Sequence, residues 1–78
     1  MSADQQLQLP FAQDITGNTA LHKAAWGGHT ETVKTLLANL TPDQQLLLLF
    51  TQDIVGNTAL HYAALEGRTE TVKTLLDN

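Results

Sequence analysis

Three histidines, His22, His29 and His61, are the side chains of this chain best suited to metal or proton chemistry. His22 and His61 lie 39 positions apart in the same local sequence, Thr-Ala-Leu-His-x-Ala-Ala. A zinc ion needs three or four such ligands about 2 Å away. Successive stacked helical units stand roughly 10 Å apart, too far for one ion to bridge the pair. His29 has no counterpart, because Arg68 stands at the matching position. Other chemistry is thinner still. There is no cysteine, and the one serine, Ser2, occupies a helix-start position. Asp14 and Asp53 sit in turns that account for them without catalysis. No Gly-rich phosphate loop or metal-spaced cluster is present. The expectation is a chain that is not an enzyme and takes no cofactor and no metal, with the histidines in structural roles.

The elements that would hold these residues come in duplicate. Residues 1–39 and 40–78 align without a gap and share 27 identities. Asp14 to His22 returns at Asp53 to His61, and Thr30 to Leu37 returns unchanged at Thr69 to Leu76. A period of this length marks a supersecondary unit that buries its apolar face against the next one. The expected organisation is one repeat domain over 1–78, with repeat one at 1–39 and repeat two at 40–78.

Each unit reads as a turn and about three short helices. Asp14-Ile15-Thr16-Gly17 is a turn, since Asp can accept from nearby backbone N–H groups and Gly tolerates positive φ. Thr19 caps a first helix rich in small residues, Ala24 and Ala25 among them, and Gly27-Gly28 stops it. A second helix is expected from about Thr30, as cap, to Ala38, with Val33, Leu36 and Leu37 as its buried stripe. Thr41-Pro42-Asp43-Gln44 is the clearest start signal: Thr caps, Pro takes the first helical position, and Gln44 reaches back. The helix it opens carries Leu46 to Phe50, apolar on every side, which implies full burial or a face awaiting a partner. In the first copy Ser2 to Gln5 should open the equivalent helix, with Gln8 and Pro10 in place of Leu47 and Leu49. Pro10 should end that helix early.

The run Asp14-x-x-Gly17-x-Thr19-Ala20-Leu21-His22-x-Ala24-Ala25-x-x-Gly28-His29-x-Glu31-x-Val33-x-x-Leu36-Leu37 resembles the ankyrin repeat, and the second copy matches equally apart from Arg68. Two departures stand out. Ala20 and Ala59 replace the family's Pro, and the period is 39 against the usual 33 or so. The surplus falls at Leu40–Thr51, where the family has a short loop. The expected fold is therefore all-α, an ankyrin-like helical repeat solenoid of two repeats whose finger is reshaped by an added helix. By the same resemblance the imidazole bonds within the turn and to the cap Thr. The resemblance also places a protein-binding surface at Ile15, Thr16, Asn18, Trp26 and Gly27, and at Ile54, Val55, Asn57, Leu65 and Glu66. Trp26 suits a binding hot spot, carrying large area on few rotors. Its alternative is extra core over the Leu-rich helix.

The bulk properties narrow the partners. A net charge of −4, with only Lys23, Lys34, Arg68 and Lys73 as permanent cations, argues against nucleic acid. Those four are scattered, so they make no patch for an anionic membrane, and Leu46 to Phe50 is too short to span one. The absence of cysteine and of a signal-like start makes the cytoplasm the default compartment. The leading expectation is a non-catalytic protein–protein interaction scaffold. One alternative is a self-assembling or engineered repeat whose partner is itself, and another is a regulatory fragment of a larger enzyme or effector. Arrays of this kind generally need three or more repeats. Val72, Leu75 and Leu76, which match Val33, Leu36 and Leu37, are therefore expected to form a self-association face closing a homodimer or other homo-oligomer.

Overall fold

A helix start leaves N–H groups unpaired, and at three of the short helices side chains satisfy some of them. The computed structural model describes residues 9–77. After a 3₁₀ turn at Leu9–Phe11 come five α-helices: α1 Ala20–Trp26, α2 Thr30–Ala38, α3 Pro42–Leu49, α4 Ala59–Leu65 and α5 Thr69–Leu76. There is no strand among the described residues, over which the fold is all-helical.

At the start of α1 the Thr19 side chain accepts from the His22 N–H, and His22 Nδ1 accepts from the Thr19 N–H at 3.0 Å. Thr58 and His61 repeat this reciprocal cap on α4, with the ring bond at 2.9 Å. Helix α3 opens as expected. Gln44 N–H donates to the Thr41 hydroxyl at 3.2 Å, and Gln44 Oε1 accepts from the Thr41 N–H at 2.9 Å. Gln45 then ties α3 to the end of α2, its Nε2 donating to the Leu37 carbonyl at 2.7 Å.

One expected cap is different. The cap of α2 is His29, which makes no side-chain cap bond, and Thr30 is already helical. Gly28 takes the left-handed conformation (φ 71°) that ends α1, leaving a single residue before α2 begins. The Thr30 hydroxyl is used elsewhere, at 2.9 Å from that of Thr71 on α5. In the first copy, Pro10 sits within the 3₁₀ turn. The expected Ser2 cap, its helix and the Gln8 exchange lie outside the described residues.

Helices α1 and α2 form one antiparallel hairpin and α4 and α5 the next; α1 packs on α4 and α2 on α5. Small side chains permit the close approach: Ala24, Ala25, Ala59 and Ala63 are all buried. Around them lie Leu21, Val33, Leu37, Leu48 and Leu75. Each fully buried Leu contributes about 1.5–3 kcal/mol relative to exposure, so this shared layer is what holds the short helices in place. Helix α3 is half committed. Leu48 is buried, whereas Leu46, Leu47 and Phe50 stay exposed, so its all-round apolarity marks an uncovered face.

Candidate interaction surfaces

The two turns are built around their aspartates. Asp14 Oδ1 accepts from the Thr16 N–H (2.9 Å), the Thr16 hydroxyl (2.8 Å) and the Asn18 N–H (3.0 Å). Its other oxygen pairs with Lys23 Nζ at 3.0 Å. The Thr16 hydroxyl first, then the Asn18 amide and Lys23, hold this carboxyl well below the usual carboxylate range. Asp53 repeats the pattern with Val55 and Asn57 N–H at 3.0 and 2.9 Å. There the second oxygen accepts the Tyr62 hydroxyl, which stands where Lys23 stands in the first copy. The Tyr62 bond lowers the Asp53 pKa, and the same bond raises that of Tyr62. Carboxylates held ionised by donors inside a turn stabilise the turn and are poorly suited to take a proton from a substrate.

The histidines occupy one local geometry in two environments. In both, Nδ1 accepts a backbone N–H, so the ring proton is on Nε2. His22 is buried, and its Nε2–H donates to the Asn57 carbonyl of the next copy at 2.9 Å. The Tyr62 ring meets it edge-on, centroids 5.9 Å apart and planes at 76°. His61 is exposed. Among the described residues no group of three or more His, Cys, Asp or Glu is placed to hold a metal ion.

A groove of about 510 Å³ opens between the first turn and the end of α1, lined by Asn18, His22, Lys23, Trp26, Gly27, His29 and Tyr62. It gathers three of the ten nominated binding residues: Asn18, Trp26 and Gly27. Trp26 is 55% exposed, so it is a surface residue and does not serve as cover for the Leu-rich helix. Ile15 and Thr16, and Ile54 and Val55, are exposed on the two turns, which the Ile54 N–H to Thr16 carbonyl bond (3.1 Å) holds side by side. Ile15 is 97% exposed. Leu65 and Glu66 are exposed at the end of α4, outside the groove, and Asn57 is half-buried with its carbonyl engaged by His22. The sequence alone gives Tyr62 no role. The signal available was that Lys23 and Tyr62 differ at an otherwise repeated position three residues before Trp26 and Leu65.

The expected self-association face of Val72, Leu75 and Leu76 is only partly exposed. Leu75 is buried in the core and Val72 is half-buried against it; of the three, Leu76 alone is exposed, at 66%. The opening at this end, about 650 Å³, is lined by Leu75 and Leu76 together with Leu46, Leu49, Phe50 and Leu60, with His61, Thr58 and Gln52 beside them.

This stack of capped helix pairs, with Asp-bound turns on one side, can be compared with known proteins. The family model described as ankyrin repeats (3 copies) matches residues 3–78. The chain belongs to the ankyrin repeat family. The match runs through α3, so the helix-bearing insertion lies inside this ankyrin array and does not divide it. No curated protein matches the chain. Ankyrin repeats are in general protein–protein interaction modules and typically non-catalytic. Among the described residues no helix of this ankyrin protein is long and apolar enough to cross a membrane.

Proposed function

We propose that the chain is a protein-binding module that recognises its partner through the turns and the Trp26 groove. The observation carrying this is the uncovered apolar area at Ile15, Ile54, Val55, Trp26 and Leu65, five large side chains that the stack leaves in water. Scattered exposed apolar residues are ordinary. Here the two turns are bonded side by side, and Trp26 lines a groove with Lys23 and Tyr62. Rigid aromatic groups beside a few polar ones suit a docking hot spot. Asn18, one of the residues lining the groove, has its Oδ1 buried with no hydrogen-bond partner among the described residues.

Selection from a displayed peptide library tests the reading. Selected binders should lose affinity with Trp26→Ala or Ile54→Ala and keep it with Leu76→Arg. Binders indifferent to Trp26 would refute the assignment of this surface.

A second reading, structural self-assembly, is favoured by a different observation. Leu37 is 2% exposed, while its exact repeat Leu76 is 66% exposed.

A further inference from the structure

The interface between the two copies joins unlike faces. On one side are His22, Thr30, Gln13 and the Thr16 carbonyl; on the other are the Asn57 carbonyl, Thr71, the Gln52 carbonyl and the Ile54 N–H. His22 Nε2–H donates to Asn57 O (2.9 Å), Ile54 N–H to Thr16 O (3.1 Å) and Gln13 Nε2 to Gln52 O (3.3 Å), while the Thr30 and Thr71 hydroxyls meet at 2.9 Å.

Each half of that interface is present again at an end of the stack, without the cross-copy bonds among the described residues. His61, Thr69 and Gln52 repeat His22, Thr30 and Gln13, and the Val55 carbonyl repeats that of Thr16. His61 and Thr69 are exposed, where His22 is buried and Thr30 half-buried. At the other end Asn18, Thr32, Gln13 and Ile15 repeat Asn57, Thr71, Gln52 and Ile54. Asp14, Ala20 and Thr32 are exposed where Asp53, Ala59 and Thr71 are buried. The apolar contrast runs the same way: Leu48 is 1% exposed and Leu9, its repeat, 54%.

We propose that the α4/α5 end of one molecule docks on the α1/α2 front of a second copy of this chain, head to tail, repeating the internal interface. This deepens the self-assembly reading, and its failure would leave the Trp26 surface untouched. Each contact carries over in chemistry. His61 Nε2–H would donate to Asn18 O, Thr69 would meet Thr32, Ile15 N–H would donate to Val55 O, and Gln52 Nε2 would donate to Gln13 O. Every side chain used is identical to its counterpart, and the remaining groups are backbone. One internal bond has no repeat, that of Arg68 Nε to the Trp26 carbonyl (3.2 Å), because His29 stands in the place of Arg68.

A two-fold pairing of the α4/α5 ends is the competing geometry. It would leave neither His61 Nε2–H facing an Asn18 carbonyl, because both molecules would present the same end. Head-to-tail contacts are heterologous, and unless the rotation closes a ring they add copies without limit.

Sedimentation equilibrium from micromolar to millimolar protein, with two variants, tests the proposal. The average mass of the unaltered chain should climb past twice the 8.5 kDa monomer without a plateau there, or stop at a ring of three or more copies. Leu76→Arg blocks the rear face and Thr32→Arg the front. Both positions are exposed, so each variant should retain its helical circular dichroism. Each should be monomeric alone, and an equimolar mixture should give a species of twice the chain mass. If either arginine disturbs folding, Leu76→Glu and Ala20→Glu supply the same pair of blocks. A monomeric parent chain, self-association by the front-blocked variant alone, or a mixture that stays monomeric would each overturn the proposal.

Discussion

His22 donates its Nε2 proton to the carbonyl of Asn57 across the stack, whereas His61, the same residue one repeat later, holds the same tautomer at the exposed end. His22→Ala removes a buried ring, a cap contact and an inter-copy bond, and should cost about 2–4 kcal/mol. His61→Ala loses chiefly the cap contact, about 1 kcal/mol. Urea unfolding measures both. Equal costs would mean the copies do not stack as described.

Thr41 carries the start of α3. Thr41→Ala should lower stability by about 1 kcal/mol, since the Gln44 N–H loses its acceptor. An unchanged urea midpoint would mean the side-chain cap contributes nothing.

Gly17 and Gly56 occupy the same turn position at φ 80° and 87°, but only Gly17 is pressed by the next copy. A Cβ there would lie 2.9 Å from Ile54 N, while at Gly56 nothing lies within 4 Å. Gly56→Ala should cost about 1–2 kcal/mol for the left-handed backbone alone. Gly17→Ala should cost clearly more, because the turn must withdraw from the Ile54 amide. Comparable midpoints for the two variants would contradict the close approach.

Asp14 and Asp53 have folded-state pKa values below those of the unfolded chain. The sign follows from linkage: the unfolded chain binds these protons first as pH falls, so acid favours unfolding. Their contribution is complete above the unfolded value of about 4 and is lost as pH falls below it toward the folded values. A urea midpoint followed from about pH 6 to pH 2 should fall steeply below pH 4, and less steeply in Asp53→Asn. Equal slopes would show that the turn does not hold the ionised form. Tyr62 works in the opposite direction. Its raised pKa makes its contribution full below about 10 and lost as pH rises beyond that.

Much of this was legible in the residues. The caps at Thr19, Thr41 and Thr58, the turn at Asp14 and the small-residue helices each rest on chemistry within a few positions, which a sequence displays directly. The misplaced cap at Thr30 fails for a different reason. Its hydroxyl is satisfied by Thr71, 41 residues away, and no local pattern reports that bond. Trp26 could not be assigned to core or surface until the position of α3 was known. The apolar stripe of α5 shows period but not depth, so Leu75 and Leu76 read alike in the sequence. The stack buries Leu75 and leaves Leu76 outside. Tyr62 was legible only as an exchange against Lys23, and its bond to Asp53 needed coordinates.

The assignments that involve stacking depend on one asymmetry: among the described residues the first copy's rear face is closed by the second, while the second copy's rear face is open. Long-range ¹⁵N–¹H spectra of the histidine rings in dilute protein measure it most directly. We expect both rings as the Nε2–H tautomer, with a slowly exchanging ring proton at His22 and rapid exchange at His61. Equal protection of the two, or protection at His61 alone, would contradict the stacked arrangement from which the binding surface and the open end are both read.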